Sequence, residues 1–270
     1  MSDPQASIGI FDSGIGGLTV MDAIRKQLSN ENLIYLGDTA RVPYGNRTPQ
    51  TIIRYAMGCS RILTSRNIKA LVIACNTASA HALSALQEAL PIPVFGVIRP
   101  VSEYAAGISK NHRIGIIGTR ATVSSGAYRH TIQTFAPDAL VFDTPCPLFV
   151  PLVEEGWAEN DISLRVAGEY LRRFQDTGID TMILGCTHYP VLRNAISAVL
   201  AEMGLSVTLC DCGYSTSIAV KQSLEANRLL NPSPDKGHST FLVTDDPEGF
   251  ARVASTFISE SIHSVEHVDF

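Results

Sequence analysis

The sequence predicts an α/β protein of two pseudo-symmetric parallel-sheet domains, with an active site in the cleft between them. Three observations lead there. Ala70-Leu71-Val72-Ile73-Ala74-Cys75-Asn76-Thr77 and Thr181-Met182-Ile183-Leu184-Gly185-Cys186-Thr187-His188 are each a short apolar run that ends in a cysteine and two polar residues. Such runs read as buried strands of a parallel sheet, and the carboxyl ends of those strands are where open α/β sheets hold ligands. A helical pattern follows each run, at Ala78 to Leu90 and at Val191 to Met203. Finally, Ile8-Gly9-Ile10 opens the stretch leading to Cys75, and Ile114-Gly115-Ile116 opens the stretch leading to Cys186, at nearly equal separations. This is a repeat of a whole domain, not a short solenoid period.

Taken in order, Ser7 to Phe11 is a strand, Asp12-Ser13-Gly14-Ile15-Gly16-Gly17 a glycine-rich turn, and Leu18 to Leu28 a helix. Leu33 to Leu36 is the next strand, ending at Gly37-Asp38. A dinucleotide site is disfavoured here: Thr19 stands where a third glycine would fall, and Asp12 would repel a pyrophosphate. Asp38 to Pro49 is a polar loop whose length suits a cover over a site. Its Pro43-Tyr44-Gly45 reads as a fixed turn offering backbone N–H groups. Thr51 to Arg66 is helical, with Cys59 as a packing residue. Pro93 to Val97 is a strand, and Ile98-Arg99-Pro100 breaks the pattern, which places a domain crossing there. In the second half, Arg113 to Thr119 and Ala139 to Phe142 are strands, with an irregular segment around Pro145-Cys146-Pro147 and Pro151. Asn160 or Asp161 caps a helix running to about Asp176. Leu205 to Leu209 is a strand, Tyr214 to Asn227 a helix, and the tail reads strand, helix, strand to Val268, returning to the first domain. The expected division is 1–98 with 208–270 (Asp12, Cys75), and 99–207 (Glu154, Cys186).

Composition narrows the function. The chain has 270 residues, 45% apolar and 17% charged, with net charge −5 and no basic block. It is globular, and nucleic acid or an acidic membrane is disfavoured as its main partner. Met1 to Ser7 shows no signal-peptide pattern, and no apolar stretch approaches a membrane span. Six cysteines without a secretory signal point to reduced thiols in the cytoplasm. None has zinc-ribbon spacing, so no metal is expected.

One cysteine after an apolar strand is ordinarily inert packing. Two, each before a helix whose partial positive charge favours a thiolate, point to chemistry. With a pKa near 8.5, a thiol can donate or accept a proton near neutrality with modest help. Inverting a stereocentre removes a proton from one face and returns one to the other. Two related domains, each giving one thiol, supply that arrangement. Asp12 is the candidate helper for Cys75 and His188 for Cys186, with Glu154 as a further helper. Ser13, Asn76, Thr77, Thr119 and Thr187 offer neutral hydrogen-bonding groups at the same loop ends.

These residues also carry a family resemblance. The segments Asp12 to Leu18, Gly37 to Gly45, Ala74 to Ser79, Cys146 to Gly156 and Leu184 to Pro190 resemble, in order, those of the glutamate racemases. These are cofactor-independent isomerases that make D-glutamate for bacterial peptidoglycan, within the aspartate/glutamate racemase superfamily. The resemblance spans about Ile8 to Val220 and implies that Cys75 and Cys186 are the acid/base thiols. It implies that Asp12, Glu154 and His188 assist proton transfer. It further implies that Asp12, Ser13, Pro43, Tyr44, Gly45, Asn76, Thr77, Thr119, Thr187 and His188 meet the substrate, with no metal or cofactor and often a homodimer. Arg99 and Cys212 depart from the family pattern, and no role passes to Asp211 or Cys212. A racemase for aspartate or another small amino acid is the alternative. A two-domain binding module for a small acid, its thiols merely packed, is the reading from another class.

Overall fold

The computed structural model describes residues 3–269, which divide into two compact units: 3–97 with 213–269, and 98–212. The first unit is ordered β1 (Ser7–Asp12), α1 (Leu18–Gln27), β2 (Leu33–Gly37), α2 (Pro49–Thr64), β3 (Ile68–Ile73), α3 (Asn76–Ala89) and β4 (Val94–Gly96). The second holds α4 (Ile98–Ile108), β5 (Arg113–Gly118), α5 (Arg120–Ser124), α6 (Ala127–Phe135), β6 (Leu140–Pro145), α7 (Phe149–Glu154), α8 (Asp161–Leu171), β7 (Thr181–Gly185), α9 (Arg193–Glu202) and β8 (Thr208–Asp211). The chain continues in α10 (Cys212–Ala226), β9 (Ser239–Val243), α11 (Pro247–Ala254) and β10 (Glu266–His267).

Both sheets are parallel throughout. The first runs β10-β9-β2-β1-β3-β4 and the second β6-β5-β7-β8. The inner order of the first, β2-β1-β3-β4, is therefore repeated strand for strand in the second. The repeated glycine has one physical cause in both. A Cβ on Gly9 would lie 2.8 Å from Ile68 Cδ1, and one on Gly115 would lie 2.8 Å from Ile179 Cδ1. Ile68 and Ile179 precede their cysteines by the same separation, so the glycine and the isoleucine repeat as a packed pair.

Central strands carry buried residues on both faces, as helix-covered parallel strands must. The one charged side chain in β3, Lys69, is fully buried and pairs with the buried Glu31 carboxylate and the Pro4 carbonyl. Glu31 also accepts the Asn231 N–H, 2.8 Å, and so anchors the returning segment that leads to β9.

Three details differ from the sequence reading. Thr208–Asp211 pairs with β7 and belongs to the second sheet, where the expected boundary at 208 would have assigned it to the first. Ile98-Arg99-Pro100 does not break the chain but opens α4. Proline is tolerated in a first helical turn because its missing N–H has no intrahelical partner there. Arg99 lays its guanidinium over the Phe135 ring, 5.0 Å from the centroid. Lastly, the 38–49 loop is not open coil. It holds 3-10 turns at Thr39–Arg41 and Tyr44–Asn46, and Thr48 then caps α2 ahead of Pro49.

Candidate active site

In the first unit, the turn after β1 and the turn after β3 lie side by side, because β1 and β3 are hydrogen-bonded neighbours. Cys75 is the N-cap of α3: its Sγ accepts the Ala78 N–H at 3.4 Å, while its thiol donates to Ser13 Oγ at 3.6 Å. Asp12 is fully buried and its Oδ2 accepts the Gly14 N–H at 3.0 Å. Asn76 and Thr77 are buried in the first turn of α3.

The helix terminus does not decide this thiol's pKa. Burial pushes it up to about 12, and the nearby Asp12 carboxylate adds to the rise. The Ala78 N–H and Ser13 act in the opposite sense and are outweighed. Cys75 therefore rests as a neutral thiol, which corrects the expectation of a thiolate favoured by the helix alone.

Two supports beneath this turn are not evident from local sequence. The buried Tyr35 hydroxyl donates to the Gly14 carbonyl at 2.8 Å and ties β2 to the Asp12 turn. A Cβ on Gly17 would lie 2.5 Å from Asp12 Cβ, 2.9 Å from the Tyr35 hydroxyl and 3.0 Å from Ala74 Cβ. Gly17→Ala is thus expected to destabilise the protein by about 1–3 kcal/mol, read as a lowered urea midpoint.

The turn at Pro43-Tyr44-Gly45 is held from behind. Tyr44 is buried, and its hydroxyl donates to the Asp38 carboxylate and sits 3.8 Å from Cys59 Sγ. Asp38 also receives Arg41 at 3.1 Å and the Thr244 hydroxyl at 2.9 Å. Burial raises the Asp38 pKa, against the lowering effect of Tyr44, Arg41 and Thr244. With the phenol so engaged, a ligand at this turn would meet the backbone of Pro43 to Gly45. The sequence signal for Asp38 is an acid at the end of β2, and nothing local to it points to Tyr44 or Thr244 as partners.

In the second unit, Cys186 follows β7 and is buried. Unlike Cys75, it is followed by a 3-10 turn, Tyr189–Leu192, before α9 begins. Its Sγ lies 3.9 Å from His188 Nδ1, and Thr187 Oγ1 lies 3.5 Å from the same nitrogen. His188 Nε2 is 2.9 Å from Glu154 Oε1, at the end of α7. A carboxylate only accepts, so Nε2 carries a proton, and in the neutral ring Nδ1 faces the thiol as an acceptor. Thr119 follows β5, caps α5 through the Thr122 N–H at 3.2 Å, and bonds the Thr122 hydroxyl at 2.9 Å. Cys212 lies 3.3 Å from the Tyr128 hydroxyl and donates to the Leu184 carbonyl, a packing role.

The candidate residues therefore fall into two groups. Asp12, Ser13, Cys75, Asn76 and Thr77, with the Pro43–Gly45 turn, belong to the first unit. Thr119, Glu154, Cys186, Thr187 and His188 belong to the second. The paired sheets make the thiols equivalent, since Gly9 pairs with Leu71 and Gly115 with Met182, each at the same separation before its cysteine. Ser13 and Thr119 are likewise equivalent, while Asp12 corresponds to Gly118. The repeat thus preserves the sulfurs and changes the helpers.

The model of the Asp/Glu/Hydantoin racemase family matches residues 8–222, most of the chain and all of both thiol strands. The chain belongs to that family. It is an isomerase, an amino-acid racemase. It is 45% identical to the glutamate racemase of Geobacter metallireducens over 265 residues, covering 98% of this chain and 97% of that protein. The crystal structure of the Thermus thermophilus glutamate racemase in complex with β-chloro-D-alanine superposes with a TM-score of 0.89 at 44% identity, covering 99% and 98% of the two chains. The Francisella tularensis glutamate racemase in complex with D-glutamate gives 0.92 at 38% identity, covering 98% of each. Among the described residues, no group of three or more His, Cys, Asp or Glu is arranged to hold a metal ion, and no helix is long and apolar enough to cross a membrane. The cysteines are unpaired as disulfides and buried.

Proposed function

We propose that this racemase interconverts L- and D-glutamate by a cofactor-independent two-base mechanism, with Cys75 and Cys186 acting from opposite faces of a substrate held in a cleft. One sulfur, as thiolate, removes the α-proton. The opposite thiol returns a proton, and the roles exchange in the reverse direction. The observation that carries this reading is the repeat itself. It sets one thiol at equivalent strand ends of two like sheets, beside a carboxylate in one case and a histidine–glutamate pair in the other.

Each half suits its part. Cys75, neutral at rest, is ready to donate, and Asp12 is the group close enough to influence its proton when it must act as base. Cys186 has His188 Nδ1 as its acceptor. Ser13, Asn76, Thr77, Thr119 and Thr187, with the Pro43-Tyr44-Gly45 turn, supply donors for the substrate carboxylates and for the carbanion.

Glutamate as substrate rests on relatives of that name at about 45% identity over nearly the whole chain. Production of D-glutamate for peptidoglycan in the cytoplasm, by a homodimer, is what the family resemblance implies and is part of the proposal. The test is chiral analysis of L-glutamate and L-aspartate incubated separately in D₂O. Formation of D-glutamate carrying α-deuterium is expected, with aspartate slower by at least about tenfold. Faster turnover of aspartate would transfer the reading to the neighbouring substrate. Binding without α-deuterium would remove it.

A further inference from the structure

Each thiol turn rests on a buried phenol that the proton chemistry does not use. In the first unit it is Tyr35 of β2, whose hydroxyl donates to the Gly14 carbonyl at 2.8 Å. That carbonyl lies in the turn that carries Asp12 and Ser13, and Ser13 Oγ accepts the Cys75 thiol. In the second unit it is Tyr128, near the start of α6 and buried. A Cβ on Gly185, the residue before Cys186, would lie 3.0 Å from Tyr128 Cε2, so the ring packs directly against the end of β7. The Tyr128 hydroxyl meets Cys212 Sγ at 3.3 Å, and the Cys212 thiol donates to the Leu184 carbonyl at 3.6 Å. Because that thiol proton is committed to Leu184, the phenol donates and the sulfur accepts. Phenol, sulfur and carbonyl form a chain that ends two residues before Cys186.

The repeat does not account for the pair. Ile10 pairs with Tyr35 in the first sheet, and its counterpart Ile116 pairs with Asp143 in the second. The second phenol therefore comes from a helix, not from the equivalent strand, and the same demand is met twice by unlike elements. Neither phenol is a ready proton source. Burial raises both well above the ordinary 10, and the neighbouring Asp12 and Cys75, or Cys212 and Cys186, add to the rise. We propose that Tyr35 and Tyr128 are positioning residues, one for each thiol: Tyr35 acts through the Gly14 carbonyl, and Tyr128 through Cys212 and the Leu184 carbonyl. This rests on the two-base reading, in which each sulfur must lie within about 3–3.5 Å of the reacting atom and a shift of about 1 Å costs up to about 10²-fold.

Tyr35→Phe and Tyr128→Phe keep the ring and delete one hydroxyl. In each, kcat/KM for glutamate should fall about tenfold, equally from either enantiomer, because the two are equal in free energy. The α-deuterium isotope effect on kcat/KM separates the two sides. When transfer at Cys186 is slowed, the effect rises for the enantiomer whose proton Cys186 removes. It falls toward unity for the other, whose C–D cleavage at Cys75 becomes reversible. Tyr128→Phe should show this pattern and Tyr35→Phe its mirror image. The enantiomer facing Cys186 is the one that Cys75→Ala still exchanges. Cys212→Ala tests the same link without touching either ring and should reproduce Tyr128→Phe, whereas Cys212→Ser, which again offers Leu184 a donor, should restore the balance. General loosening of the fold slows both transfers and gives no mirror pattern. Equal changes for both enantiomers in either phenol variant, or an undisturbed balance in Cys212→Ala, would overturn the proposal. Uptake of solvent deuterium at the α-carbon by the unaltered protein is measured alongside. Its absence would overturn the two-base reading and the positioning roles with it, whereas loss of the mirror pattern alone leaves that uptake intact.

Discussion

Cys75→Ala and Cys186→Ala, made separately, are each expected to lose interconversion of glutamate enantiomers by at least about 10³-fold. The fold should survive, since each sulfur ends a strand whose other residues supply the packing, and Cys75 adds one cap hydrogen bond to a neutral N–H. The informative readout is the residual chemistry. With one thiol gone, the remaining one can still remove and return a proton on its own face. Each variant should therefore exchange the α-proton of one enantiomer with D₂O, and the two variants should prefer opposite enantiomers. Full racemase activity in either variant ends the two-base mechanism. Exchange of the same enantiomer by both would place the sulfurs on one face, which inversion forbids.

Alkaline pH should unfold this protein steeply, through its buried thiols. Burial pushes Cys75 and Cys210 up to about 12 from an ordinary 9.0, and Cys59 and Cys146 are raised further in the same direction. In the unfolded chain these thiols ionise near pH 9, while in the native state they stay protonated. The unfolded state then binds fewer protons, so stability falls as pH rises. For Cys75 and Cys210 the contribution is fully present below about pH 9 and lost by about pH 12, on the order of 4 kcal/mol per thiol. Urea midpoints measured from pH 9 to 11 should decline throughout, and Cys75→Ala should decline less steeply. A flat midpoint across that range contradicts the burial argument.

How much of this was legible follows from what the chain displays locally. Fully buried parallel strands show as unbroken apolar runs, so the Cys75 and Cys186 strands stood out. The repeated Ile-Gly-Ile is visible because one steric demand, an isoleucine packed against a bare backbone, recurs at Gly9 and Gly115. The candidate residues that adjoin those strand ends came with them. What escaped depends on partners distant in sequence. Tyr35 matters through Gly14 and Asp38 through Tyr44 and Thr244, and no spacing rule links those pairs. The helix after Val97 was hidden by Pro100, because a breaker and a first-turn proline look alike without the backbone. The Cys75 thiol was misjudged for a different reason. A helix terminus can be inferred from a pattern, but desolvation is set by everything packed around the sulfur, and here it dominates.

The order in which the strands enter the two sheets bears on biosynthesis. The second sheet is drawn from one uninterrupted stretch, whereas the first waits for β9, which docks beside β2 from near the end of the chain. As the ribosome elongates, the later-encoded unit can complete itself while the earlier one still shows an unpaired β2 edge. That window, open until Ser239–Val243 emerges, is when nascent chains would be most prone to pair with one another, and when chaperone capture would help most.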